Sequence, residues 1–387
     1  MAEPQRAGGD GVATLSDDAS VVARILDHIE HHTTDVTESV WREPLENYRS
    51  EARLEAELAC VLRRFSVPFC PSAALPEAGS FVARDAAGTP ILAVRGKDGR
   101  ARAFRNACRH RGAQIGSGEG CAKAFVCRYH GWTYDLDGAL VHVPDAYGFP
   151  GLDRATRGLV PLETAERHGM VWVAQDARSS PGDASLDELP PLLPDGLRLL
   201  RATAQDVDAN WKILAEGFLE GYHIRSTHRD TFYPVQFDNL NVVERFGRNS
   251  RVAFPYRNVQ KLRTVPADGR SARGVLTYVY HLFPNVMVAT FPATMVMVAL
   301  EPLRTDQTRL VTYVLADGGG EPSGLEGAQQ FVQAGAAEDS AVACSIQRSL
   351  ASGANEWFEF GHFEGAIQHF HRNLEQALGD ESSAGRT

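Results

Sequence analysis

At 387 residues, the chain is longer than a single hydrophobic core usually grows, so two domains are expected. Hydrophobic residues at 43% and charged residues at 23% exclude a disordered chain, and a formal net charge of −10 argues against nucleic acid or an anionic membrane as partner. No secretory apolar segment or membrane-length run occurs, which reads as a cytoplasmic protein, and the six cysteines read as thiols or metal ligands rather than a disulfide framework.

In chain order, residues 1–20 are small, polar and Gly/Asp-rich, a disordered tail. Residues 21–64 show helical periodicity, with Leu54, Leu58, Val61, Leu62 and Phe65 on one stripe, and read as a helical lead-in. From residue 65 the texture becomes that of a β-meander, with strands at 80–82, 91–94, 101–104, 132–134 and 170–173. A Pro/Ser/Asp-rich stretch at 179–194 places a domain boundary near residue 180, giving an all-β domain over 65–180 and a second domain over 181–387. The second domain opens with a strand at 199–207 and a helix from Asn210. Strands follow at 275–280, 286–291, 295–300 and 310–315, then helices at 327–349 and 364–378. The fold class is α+β: an N-terminal all-β domain and a C-terminal domain with an antiparallel sheet covered by helices.

Cys108-Arg-His110 and Cys127-Arg-Tyr-His130 form a C-x-H and C-x-x-H pair separated by sixteen residues. Each arm offers one thiolate and one imidazole, the set a Rieske [2Fe–2S] centre requires: two Cys on one iron and two His on the other. A structural zinc site uses the same ligand types. The loop setting and the glycines that follow, Gly112 and Gly131, favour the cluster, because small residues let backbone amides approach its sulfides.

Farther on, the segment 210–228 carries Glu220, His223 and His228. Glu220 and His223 share a helical face, whereas His228 stands roughly 140° away on an ideal helix, so both imidazoles reach one metal only if the helix ends or widens between them. Two His and a distant carboxylate would complete the facial triad of a non-haem Fe(II) centre. Of Glu338 and Asp339, Asp339 shares its stripe with Val342, Ala343, Ile346 and Leu350. A carboxylate there is costly unless paired or metal-bound, so Asp339 is the preferred third ligand.

With both constellations in view, the sequence resembles the large (alpha) subunits of Rieske non-haem iron oxygenases of the aromatic-ring-hydroxylating type, in its two cysteine–histidine boxes, in Asn210-Trp-Lys and Glu220-Gly-Tyr-His, and in Glu338-Asp339 followed by Cys344 and Gln347. The resemblance implies a homotrimer in which Glu220 bridges, by a hydrogen bond to a Rieske His of the neighbouring subunit, from cluster to iron. Many ring dioxygenases have Asp at that position, whereas carnitine- and betaine-type monooxygenases typically have Glu. The expected function is an oxygenase component that uses O₂ to hydroxylate, by mono- or dioxygenation, or to demethylate a small aromatic or quaternary-amine-like substrate. No flavin or dinucleotide fingerprint is present, so NAD(P)H would act through a separate reductase, with a ferredoxin as a further candidate partner. The alternatives are a Rieske electron-transfer protein whose second domain only binds, and a zinc-stabilised scaffold.

Weaker signals carry less. The Gly-rich run 116–120 reads as a flexible turn, and His28, His31, His32, His369 and His371 need no metal. Phe232, Tyr233, Phe237, Phe283 and Phe291 read first as core packing.

Overall fold

The structure is a computed structural model that describes residues 15–176, 184–187, 189, 191–317 and 322–384. Residues 1–14 of the expected tail at 1–20 and the boundary near residue 180 lie outside them, whereas the rest of that tail is ordered, the Ser16 amide donating to Glu244 and a helix starting at Asp18. The expected α+β class is borne out. Strands Ser80–Ala86, Thr89–Arg95 and Ala101–Arg105 form the meander, and the two-residue turn between the first pair puts Ala87 and Gly88 at φ of 48° and 72°. That double left-handed turn matches the twist of a tight hairpin. They belong to a seven-stranded antiparallel sheet completed by Val67–Pro71, Met170–Ala174, Pro161–Arg167 and Gly118–Cys121. The last of these corrects the expected flexible turn at 116–120: the open edge of Ser80–Ala86 recruits its backbone, and Gly120 sits where a Cβ would press on the Phe81 ring at 3.2 Å.

The C-terminal domain is built on a second seven-stranded antiparallel sheet. Six strands, Val242–Phe246, Asn249–Pro255, Leu276–Leu282, Val286–Thr290, Met295–Arg304 and Gln307–Asp317, follow one another as neighbours, and Leu197–Val207 adds to the edge beside the last. The first two of the six were not among the expected strands. Asn249–Pro255 is buried at every position, so it lacks the alternation that marks a half-exposed strand. Helices Pro322–Ser349 and Gly365–Ala384 cover the sheet.

The lead-in departs from expectation. Helix Asp18–His31 is capped by Asp17, whose side chain accepts from the Ser20 amide at 2.8 Å, and it buries Val21, Val22, Ile25 and Leu26 on one face. The chain then leaves the helix, and Trp41–Pro44 pairs antiparallel with Trp357–Phe360. Helix resumes with the single turn Glu46–Arg49, then Glu51–Glu57, which continues as a π-helical turn, Leu58–Leu62. Residues 21–64 are therefore not one helical run; Thr33, Thr34, Val36, Thr37 and Pro44 favour extended backbone over helix.

The two domains share a buried core in which Phe69, Cys70 and Trp172 join Met297, Ala299 and Tyr313. Across it, Arg84 reaches Glu301 Oε1 at 2.6 Å and the Phe69 carbonyl at 2.6 Å, while Glu301 Oε2 accepts from the Ala87 amide at 2.8 Å. Replacing Arg84 with methionine strands a buried carboxylate. The expected loss is about 3 kcal/mol, read as a lower urea midpoint with both domains destabilised together.

Candidate metal centres

The two cysteine–histidine boxes sit on loops of matching design. The Cys108 amide donates to the Ala113 carbonyl at 2.8 Å and the Gly112 amide to the Cys108 carbonyl at 2.8 Å; the Cys127 amide donates to Trp132 and the Gly131 amide to Cys127, at 2.8 and 2.9 Å. Gly112 and Gly131 both have positive φ, 81° and 73°, which closes each loop at a residue without a Cβ. Cys108 and Cys127 are buried free thiols, and the His110 and His130 ring centroids are 4.6 Å apart. His110 Nδ1 is buried with no hydrogen-bond partner among the described residues, a ring nitrogen free to serve as a metal ligand. Burial, then His130 and Arg111, lowers the His110 pKa and favours the neutral imidazole that a metal needs. Trp132 stacks on His110 at 4.9 Å, and the Tyr134 hydroxyl lies 3.3 Å from Cys108 Sγ. The donor set fits a [2Fe–2S] cluster. Cys121 is exposed, with its thiol toward the Ala78 carbonyl.

The second constellation starts from Asn210, whose side chain caps helix Trp211–Gly217 at the Lys212 amide. The helix stops at Gly217, so Glu220 and His223 do not share a helical face. Instead the chain turns and His223 precedes a single four-residue helix, Ile224–Thr227, which ends at His228. The expected helix end between the two imidazoles is present. His223 Nε2 and His228 Nε2 stand 3.2 Å apart, and Asp339 Oδ1 lies 3.4 and 2.9 Å from them. Among the described residues, these three form the group arranged as a metal site.

The outward nitrogens are fixed as well. His223 Nδ1 meets Glu220 Oε1, and His228 Nδ1 meets Glu338 Oε2 at 2.7 Å; the Thr231 hydroxyl donates to that same Glu338 oxygen at 2.6 Å. Both rings therefore aim Nε2 at the centre, the orientation that outer carboxylates impose on metal-binding histidines. Burial opposes charge on His223, but the hydrogen bonds its ring donates to Asp339 and Glu220 raise its pKa to about 10. Burial likewise opposes the Asp339 charge, and His223 and His228 hold its pKa below the ordinary value. A bound cation replaces the protons that these two imidazoles otherwise share with the carboxylate, so the donor set fits a mononuclear iron.

The centre opens on a cavity of about 740 Å³ between sheet and helix. Val279, Met287 and Val298 line it from the sheet, and Val332, Ala336 and Ile346 from Pro322–Ser349. Phe232 and Phe291 line it too, correcting their reading as core, and Phe232 packs on His228 at 4.6 Å. Gly335 makes that packing possible, since a Cβ there would stand 2.3 Å from the Phe232 ring. Phe283 is buried core as expected. Sequence reasoning missed Glu216 and Glu364, which also line the cavity. Glu216 had a signal, a carboxylate in a helix buried from Trp211 onward; Glu364 had none.

Residues 65–152 match the family model for the Rieske [2Fe-2S] domain, and residues 194–380 that for the ring hydroxylating alpha subunit, catalytic domain. Together these span most of the chain, which belongs to the Rieske-type ring-hydroxylating oxygenase alpha subunits; its cofactors are a [2Fe–2S] cluster and a mononuclear iron.

Among curated relatives, the carnitine monooxygenase oxygenase subunit of Escherichia coli (strain K12) is 32% identical over 214 residues, 52% of this chain and 56% of that protein. Choline monooxygenase, chloroplastic, of Spinacia oleracea is 26% identical over 317 residues, 74% and 67% of the two chains. The match to the carnitine enzyme thus covers little more than half of that relative's length. A quaternary ammonium Rieske monooxygenase in complex with substrate L-carnitine shares the fold, with a TM-score of 0.75 at 21% identity over 93% of this chain and 98% of that one. Naphthalene 1,2-dioxygenase from Rhodococcus sp. does so with a TM-score of 0.73 at 19% identity, over the same shares. Among the described residues, no helix is long and apolar enough to cross a membrane.

Proposed function

We propose that this chain is the oxygenase component of a multi-component system that uses O₂, with electrons from a separate NAD(P)H reductase or an intervening ferredoxin, to hydroxylate or demethylate a small organic substrate. Cys108, His110, Cys127 and His130 would hold the cluster, and His223, His228 and Asp339 the iron. When bound, these groups supply electron transfer and O₂ activation. The observation that carries the reading is the convergence of two Nε2 atoms and Asp339 Oδ1 in the wall of a largely apolar cavity. Glu220 and Glu338 hold the imidazoles in one tautomer, and the apolar walls position the substrate and exclude water.

The test is iron and acid-labile sulfide analysis of anaerobically purified protein, with the EPR spectrum of its reduced form. About three irons and two sulfides per chain, with a Rieske signal, support the oxygenase; about two irons with that signal leave an electron carrier or a depleted mononuclear site, and zinc without sulfide supports a scaffold.

Within this reading a substrate bearing a methylated nitrogen is favoured over an aromatic hydrocarbon. Burial, then Glu220 and Glu216, pushes the Glu364 carboxyl on the cavity wall up to about 7, against the Gly361 amide that donates to it. A cation would relieve that crowding, and phenylalanine faces suit it as well. Turnover of choline or carnitine but not of biphenyl would support this substrate class.

Electrons are proposed to cross between subunits of a homotrimer through Glu220. Glu220→Gln is expected to keep both metal sites loaded while slowing O₂-driven reoxidation of the reduced cluster on the order of 10–100-fold. Sedimentation tests the trimer, and a strictly monomeric active enzyme would defeat the inter-subunit route.

A further inference from the structure

Beside the metal centre, the cavity wall is joined to a buried polar chain that holding iron does not require. Glu216, on helix Trp211–Gly217, lines the cavity and is 7% exposed. Its Oε1 accepts a hydrogen bond from the Tyr48 hydroxyl at 2.6 Å and lies 2.9 Å from His371 Nε2. His371 is buried, and its Nδ1 stands 3.4 Å from Glu43 Oε2, a gap across which no hydrogen bond is closed. Glu43 is buried too and accepts from Trp41 Nε1 at 2.8 Å and Asn47 Nδ2 at 2.6 Å, two residues that are themselves partly exposed. The chain thus runs from the cavity to within one side chain of solvent, as acid, base and acid.

We propose that Glu216, His371 and Glu43 form a proton relay that opens on the cavity, with Glu216 as its inner donor. The need for it rests on the oxygenase reading. Inserting one oxygen atom into a C–H bond takes one O₂, two electrons from the reductase and two protons, and yields one C–OH group and one water. Glu216 lines the cavity and both of its side-chain contacts, to Tyr48 and His371, fall on Oε1, so Oε2 is the oxygen the relay assigns to releasing the proton. Once the ring rotates to close the gap, His371 takes a proton at Nδ1 from Glu43 as it gives its Nε2 proton to Oε1, so the ring is neutral before and after. Glu43 regains its proton from solvent beside Trp41 and Asn47, and a flip of the ring resets the relay.

The electrostatics agree with the geometry. Burial pushes the Glu216 carboxyl up to about 8, against the Tyr48 hydrogen bond and the charge of Lys212, and burial lowers His371 to about 4. The other charges near Glu216 are Lys212 on its own helix, engaged by Glu57, and Glu220 and Glu364 across the cavity wall. At neutral pH a neutral acid faces a neutral base, so the resting relay holds no unpaired buried charge, and the carboxylate formed at Glu216 when its proton leaves is neutralised by the transfer from His371.

The test uses the full-length, iron-loaded protein. An infrared pH titration of the wild type should show a protonated-carboxyl band that fades through about pH 8 and is missing from Glu216→Gln. Reoxidation of dithionite-reduced protein by O₂, followed in H₂O and D₂O, should slow on the order of 10²-fold in Glu216→Gln, with a larger solvent isotope effect, and partly in Glu216→Asp. Glu43→Gln is the discriminating variant, because it slows the same step from a position that does not line the cavity. Should it fail to retain iron, His371→Gln takes its place. Absence of the band, or wild-type rates and isotope effects in the variants, would overturn the relay. A wild type without cluster or iron would instead defeat the oxygenase reading and leave the infrared titration to decide on the relay.

Discussion

Replacing Asp339 with alanine is expected to remove about one iron per chain while leaving the cluster, its sulfide and its EPR signal intact. The carboxylate oxygen lies within 3.4 Å of both Nε2 atoms, and the two imidazoles alone offer too few donors to retain Fe(II). Glu338 does not take over, because it is already engaged by His228 Nδ1 and Thr231, on the far side of the ring from the centre. Metal analysis and product formation read the result together. Loss of the Rieske signal along with the iron would mean that the two sites are folded as one unit rather than loaded separately.

Glu57→Leu is expected to cost about 5 kcal/mol, the upper end for breaking a buried ion pair. Glu57 is fully buried and holds three groups: Lys212 Nζ at 2.8 Å, Trp211 Nε1 at 2.9 Å and Arg53 Nε at 2.9 Å. Removing it strands the Lys212 ammonium, which is 1% exposed, beneath the helix that leads to both histidines. The double replacement Glu57→Leu/Lys212→Met should recover much of the loss, since no lone charge then remains buried. Urea midpoints of the two variants test this; equal midpoints would show that packing, rather than the stranded charge, sets the cost.

What was legible in the sequence was local. The cysteine–histidine spacings state a donor set outright, and the phase of helix Pro322–Ser349 was enough to prefer Asp339 to Glu338: the former meets the imidazoles at Nε2, the latter braces one from behind at Nδ1. His228, five residues beyond His223, required a helix end, and the chain has one. What was not legible depends on partners far away in the sequence. Trp41–Pro44 is a strand only because Trp357–Phe360 lies beside it, and Asn249–Pro255 is buried on both faces, which erases its alternation. Glu220 was placed on a helix that stops at Gly217, because the apolar spacing Trp211, Leu214, Phe218, Tyr222 continues past the point where the backbone turns. Glu43 and His371 meet only after the two ends of the chain have been brought together.

The pairing of Trp41–Pro44 with Trp357–Phe360 also bears on how the protein is made. Arg42 and Glu359, ion-paired across the two strands, are 317 residues apart. At ribosomal speeds of about 5–20 residues per second, the first strand waits on the order of tens of seconds for its partner. The Rieske domain emerges in that interval, so biosynthesis gives the cluster loops a head start over closure of the chain's two ends. A gene fragment beginning at the Rieske domain would leave Trp357–Phe360, which lies beside the cavity wall, as a bare edge open to pairing with another molecule.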